Sequence, residues 1–324
     1  MSYSTSNVPS DASRAVFTAD VLARLRKSPS PSVALIHRIS VLIASGPYPS
    51  DPWVASTIRQ LRARRAAWDT YLGAAFACGL FEGPHGSDLT SRLTGEDDDG
   101  FRSAIAECLA CWLLAGPLRL PVKPRPSGQG RSVLELLVEC PDGEAFIEVK
   151  APRRERPVTG GWFGHDSDLL ESCMEQATRQ FQKGCRNVLL LVPQLRTPAF
   201  NLRVQLTAAF VGQQKITIPI DTRTGGPAGP TQVQFFPDGK FLNPRLPDGK
   251  FMKLDRRPGF TRISAVVCVE EDYNEGIGFI FHRMLVLHNP YAEKPISPQM
   301  WGNCPQFLLE DGKLGWTDGH PLNR

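Results

Sequence analysis

Phe146-Ile147-Glu148-Val149-Lys150-Ala151 is the stretch that decides the fold. Four apolar residues surround one acid and one base. On a β-strand, Glu148 and Lys150 point to one face and Ile147 and Val149 to the other. Charges on a face that is otherwise apolar are costly to bury unless a partner or a metal ion compensates them. The strand therefore belongs in a sheet, and its charged pair needs company.

That company is sought on either side. Upstream, Ser132 to Glu139 alternates as a strand, and Pro141-Asp142-Gly143 is a turn signal. With Glu144 to Ala151 as the return strand, the segment is expected to form a hairpin. Glu135, or Glu139 in another register, can then share a face with Glu148. Before the hairpin, Phe101, Ile105, Leu109, Trp112 and Leu113 are spaced for one buried helical stripe between Gly100 and Ala115. That helix carries Glu107. Downstream, Asp168 to Gly184 reads as a helix and Asn187 to Val192 as a buried strand.

Farther out, Phe17 to Arg26, Ser32 to Ala44 and Pro52 to Gly79 have helical patterns. The long third one exposes Arg59, Arg62, Arg64 and Arg65, read as a solvated face or a nucleic-acid contact. Gly83 to Gly100 reads as an acidic loop, with Glu96-Asp97-Asp98-Asp99 suited to a helix N-terminus. A helix over Ala199 to Val211 is expected. Gln213 to Phe260 is Gly- and Pro-rich and is read as an inserted hairpin region, with matching turns at Pro237 to Lys240 and Pro247 to Lys250. Strands follow at Arg262 to Val269 and Gly278 to Leu287, then an irregular tail. The fold class is α/β: a mixed sheet flanked by helices. The expected division is a disordered tail over 1–13, a helical region over 14–99, and an α/β domain over 100–324 with its insertion at about 213–260.

Composition sets the bounds. The 324 residues carry 37 Lys plus Arg and 33 Asp plus Glu, a net charge of +4, which permits a nucleic-acid partner without demanding one. No signal peptide and no apolar run of about 18 residues is visible, so a cytoplasmic chain without a membrane span is expected. Cys108 and Cys111 have no second Cys or His pair at zinc spacing, so buried reduced thiols are expected. The Gly-rich loop Thr159 to Gly164 lacks the Lys-Ser/Thr ending of a phosphate-binding loop. Neither a Gly-x-Ser-x-Gly elbow nor His-Glu-x-x-His occurs.

The ordered set of a helical Glu, an acid on a first strand, Glu-x-Lys on the second, then a helix and a strand resembles the PD-(D/E)xK nuclease superfamily, the restriction-endonuclease-like fold. The matching residues are Glu107, Glu135 and Glu148-Val149-Lys150. The helix Cys173 to Phe181 resembles the family's helix with a Gln near the site, a place for Gln180 or Gln176. Where the family usually has Asp, this chain has Glu135 after Leu134. The resemblance covers roughly 101–193.

It implies a nuclease acting on DNA, with Glu107, Glu135 and Glu148 holding Mg²⁺ or Mn²⁺. Carboxylates are the oxygen ligands such hard cations prefer. Lys150 among carboxylates is expected to stay protonated and act electrostatically rather than as a base. Arg153, Arg154 and Arg156 are placed to grip phosphates. Trp162, Phe163 and His165 read mainly as loop packing, and His288 as a structural histidine. The N-terminal helices are expected to recognise a partner or the substrate, and a homodimer is compatible with cutting two strands. Two rival readings are a catalytically silent binding or assembly module of the same fold, and an ion-paired protein without metal chemistry.

Overall fold

The computed structural model describes residues 11–29, 32, 35–36, 52–124, 135–152, 167–193, 206, 213–217, 223–224, 232–236, 260–274, 278–310 and 313–317. It is an α/β protein with a mixed sheet. The helices are α1 (Ala12–Val16), α2 (Ala19–Leu25), α3 (Pro52–Ala77), α4 (Gly83–Thr94), α5 (Asp98–Ala115) and α6 (Ser167–Gln180). The strands are β1 (Val122–Pro124), β2 (Leu136–Cys140), β3 (Gly143–Lys150), β4 (Arg186–Leu191), β5 (Gln213–Thr217), β6 (Gln232–Phe236), β7 (Ala265–Asn274), β8 (Phe279–His288), β9 (Gln306–Glu310) and β10 (Lys313–Trp316).

Eight strands form one sheet in the order β1-β2-β3-β4-β7-β8-β9-β10, and β5 pairs with β6 separately. The hairpin forms as expected: β2 and β3 are antiparallel, with Leu136 opposite Ile147 and Glu139 opposite Glu144. Gly143 takes a positive φ of 109° in its turn, a conformation that glycine reaches without steric cost. β3, β4 and β7 are mutually parallel, and β7 and β8 form a long antiparallel hairpin.

Alternation along the strands divides the core. Ala145, Ile147, Val149, Val188, Leu190, Val267 and Val269 face one side, against α3, α4 and α5. Leu189, Leu191, Val266, Cys268, Leu285 and Leu287 face the other, against Leu170, Cys173, Met174 and Ala177 of α6. α5 is buried nearly all round because it lies between the sheet and the other helices. Asp97 caps it, accepting from the backbone N–H groups of Asp99 and Gly100, so the acidic run does mark a helix start. Trp68 of α3 meets Phe101 of α5 edge-on at 5.6 Å. α1 to α5 thus share one continuous core with the sheet.

Several expectations are corrected. Ala12 and Ser13, inside the expected tail, are helical and buried. Gly83–Thr94 is a helix rather than a loop: Pro84 suits its first turn, and Leu89 and Leu93 are almost wholly buried. Gly86 permits it, because a Cβ there would lie 2.1 Å from the Phe81 backbone. The C-terminal tail is not irregular; it adds β9 and β10. β1 was not expected. The second helix, the helix over 199–211, the paired Pro-Asp-Gly-Lys turns and the 159–165 loop fall mostly or wholly outside the described residues.

A carboxylate pair beside a lysine

Glu148 and Lys150 lie on the α6 face of β3, as alternation requires. Glu148 is fully buried, and Lys150 Nζ reaches its Oε1 at 2.5 Å. The other oxygen, Glu148 Oε2, is buried and accepts no hydrogen bond from the described N–H and O–H groups. Its neighbour is another carboxyl. The β2–β3 register continues by one step from Leu136 and Ile147 to set Glu135 opposite Glu148. Glu135 stands just before β2, at the point where the ladder opens. There its Oε2 accepts the Val149 N–H at 3.2 Å.

The electrostatics follow from this crowding. Burial pushes the Glu135 carboxyl well above its usual range, and the neighbouring Glu148 carboxylate pushes it further. Lys150 and the Val149 N–H oppose this and do not win. Burial alone would lower Lys150, but Glu148 and Glu135 more than compensate and raise it, so it stays an ammonium. A buried carboxyl and a partly buried one side by side cannot both ionise cheaply without a shared proton or a cation.

Glu107 behaves differently. Its helix, α5, covers the opposite face of the sheet from Glu148. The carboxylate is buried and gripped by Arg92 of α4, with Nη1 to Oε1 at 2.6 Å and Nη2 to Oε2 at 3.1 Å. Glu107 and Glu135 nevertheless share a cavity of about 60 Å³, whose wall also includes Glu82 and His85. Glu135 is therefore the link between the Glu148–Lys150 pair and the Glu107–Arg92 pair. Among the described residues, no three His, Cys, Asp or Glu side chains gather closely enough to clasp one ion.

Other site candidates separate clearly. Glu139 sits at the far end of the hairpin, half-exposed and paired with Lys123 at 2.7 Å, so it is not the alternative to Glu135. Gln176 is exposed and contacts Ser172 on its own helix. Cys173 of α6 lies near enough to Lys150 for the ammonium to oppose the burial that pushes this thiol up. Gln180 lies seven residues farther along α6, on the same stripe but about 10 Å away along the axis. Arg153, Arg154 and Arg156 lie outside the described residues. His288 Nε2 bonds Gln306 Oε1 at 2.8 Å, a structural role. Cys108 and Cys111 are buried, and neither pairs in a disulfide among the described residues.

Sequence reading missed Arg92, because its segment looked like a loop. It also missed a buried polar group on the α3 face. Tyr71 donates to Glu271 at 2.6 Å and lies 2.5 Å from His282 Nε2, and Arg64 pairs with Glu271 at 2.5 Å. Arg65 pairs with Asp11 at 3.0 Å. Two of the four arginines noted on α3 are thus structural. Nothing local in the sequence pairs residues 200 positions apart. No protein-family model matches the chain, and neither curated proteins nor solved structures show a significant match to it. No described helix is long and apolar enough to cross a membrane.

Proposed function

We propose that this chain is a metal-dependent nuclease with a restriction-endonuclease-like core, hydrolysing phosphodiester bonds, with DNA as its substrate. The observation that carries the reading is the Glu135–Glu148 pair, Glu148 buried and Glu135 partly so, with one Glu148 oxygen undonated among the described residues and a protonated Lys150 at 2.5 Å. The order of elements agrees: a helix bearing Glu107, a strand entered at Glu135, a strand bearing Glu148 and Lys150, then α6 and β4.

The donor set fits a hard divalent ion. Mg²⁺ is usually bound through one or two carboxylates with water and substrate phosphate completing its shell. Glu135 and Glu148 would hold it, and Glu107 shares a cavity with Glu135 alone of the two. When bound, the ion supplies charge neutralisation at the phosphate and acidifies a water. The protein supplies the rest. Lys150, kept charged by its two acids, offsets negative charge developing on the phosphoryl oxygens. The Glu135 contact with Val149 N–H fixes the first carboxylate against β3. Arg153, Arg154 and Arg156 follow Lys150 closely in sequence and would steady the flanking phosphates.

Arg92 favours a second reading. Its grip on Glu107 removes one expected ligand, as in a silent member of such a fold that only binds. Purified protein with Mn²⁺ and supercoiled plasmid, linear duplex, single-stranded DNA or RNA decides between them. Cleavage that disappears in Glu148→Ala and Lys150→Ala supports the nuclease. Binding without cleavage of any substrate supports the silent module.

A further inference from the structure

A second cavity lies at the same end of the sheet but on the opposite face from Glu148. Its volume is about 360 Å³, within the range of small-ligand pockets. Ala151, Val192 and Pro193 close one side, just beyond the carboxyl ends of the parallel strands β3 and β4. Crevices outside the carboxyl ends of parallel strands are where α/β sheets commonly take ligands.

The chemistry of the wall is mixed in an informative way. Trp68, Phe101, Ile105, Leu109 and Val269 make it largely apolar. Two guanidinium groups, Arg64 and Arg102, reach it from α3 and α5. Each is only part-used. Arg102 engages Asp98 through Nε at 2.8 Å, and among the described residues its two terminal nitrogens have no partner. Arg64 engages Glu271 through Nη1. The Arg102 side chain is 20% exposed, and its terminal nitrogens keep solvent contact, so an incoming anion can reach them. Half-satisfied, mostly buried guanidinium donors call for an oxyanion, and phosphate matches their fork.

A bare phosphate would not need the apolar wall or the Glu271 carboxylate. That carboxylate is held ionised by Tyr71, His282 and Arg64 against the opposing effect of burial. It is an acceptor suited to the N–H edge of a base. We propose that this cavity binds a phosphorylated nucleoside, with phosphate on Arg64 and Arg102 and the base against the apolar wall and Glu271. The ligand is either a free mononucleotide or one nucleotide of a strand. The proposal does not depend on the carboxylate–lysine site being catalytic.

The test is calorimetric titration without metal. The ligands are a deoxynucleoside 5′-monophosphate, inorganic phosphate and a 5′-phosphorylated single-stranded oligonucleotide. The proteins are wild type, Arg102→Gln, the cavity-filling variants Ile105→Trp and Val192→Phe, and Lys150→Ala. Thermal melts identify which filling variant keeps its fold, and one suffices. The monophosphate should bind wild type, weaken about tenfold or more in Arg102→Gln and in the folded filling variant, and exceed inorganic phosphate by a similar factor. Tighter binding of the oligonucleotide than of the monophosphate identifies a strand as the source, and weaker binding identifies the free nucleotide. The proposal is overturned if no nucleotide binds, if phosphate binds equally well, or if binding survives cavity filling but is lost in Lys150→Ala.

Discussion

Glu135 and Glu148 come from opposite strands of one hairpin and meet one register step beyond the Leu136–Ile147 pair, where the ladder opens. Their carboxyls lie together, Glu148 buried and Glu135 partly so, and among the described residues the ammonium that serves them, Lys150, bonds Glu148 directly. Such an arrangement is poor for stability and good for holding a cation. Replacing one acid with its amide should reveal the conflict. Glu135→Gln keeps an acceptor for Val149 N–H and gains a donor for Glu148. In chelator its thermal midpoint should exceed that of wild type by an amount that grows with pH, up to ~1.5–3 kcal/mol, the worth of a hydrogen bond to a charged group. A fall would show that the pair is structural.

Arg92 and Glu107 make a bidentate pair with Glu107 only 4% exposed at its side chain. Arg92→Ala removes the bidentate partner of a buried carboxylate, and losing one partner of a buried pair costs about 3–5 kcal/mol. Urea denaturation measures this. A loss below about 1 kcal/mol would mean that Glu107 is solvated or otherwise neutralised.

The two neighbouring acids of β7 should shape the acid and neutral limbs of the stability curve in opposite ways. For Glu271, burial is outweighed by His282, Arg64 and Tyr71, which hold it at about 2, below its ordinary 4.5. A depressed carboxylate contributes stability that is present above about 4.5 and lost as pH falls toward 2. Glu271→Gln should therefore cost most at neutral pH and little near pH 2. Tyr71→Phe removes a buried hydroxyl from the same group and should cost about 1–3 kcal/mol at neutral pH. Denaturation midpoints across pH 2–7 check both.

Glu270 behaves in the reverse sense. Burial pushes it up to about 7, against the pull of Arg283. A raised carboxyl favours the folded state below its ordinary value, and that contribution is lost as pH rises through 7. Glu270→Gln should match wild type near pH 4 and be the more stable protein at pH 8. An equal difference at both pH values would contradict the assignment.

Much of the site was legible because period-two alternation is a strict geometric rule. It put Glu148 and Lys150 on one face, and the Pro141-Asp142-Gly143 turn set the hairpin that brings in Glu135. The same rule cannot say which helix covers which face. Glu107 therefore emerged across the sheet from Glu148, against Arg92 of a segment whose Gly83, Pro84 and Gly86 resemble a loop. Residues such as Arg64, Tyr71 and Glu271 look like ordinary surface or core positions until tertiary contacts join them. β9 and β10 escaped notice because prolines and glycines around them masked two short strands.

The account rests on a divalent cation being held by Glu135 and Glu148. Calorimetric titration of Mn²⁺ into wild type, Glu135→Gln and Glu148→Gln measures that directly. One saturable site in wild type, weakened about tenfold or more in each variant whose melt shows an intact fold, is the predicted result. Mn²⁺ that binds all three proteins alike, or none of them, would contradict it.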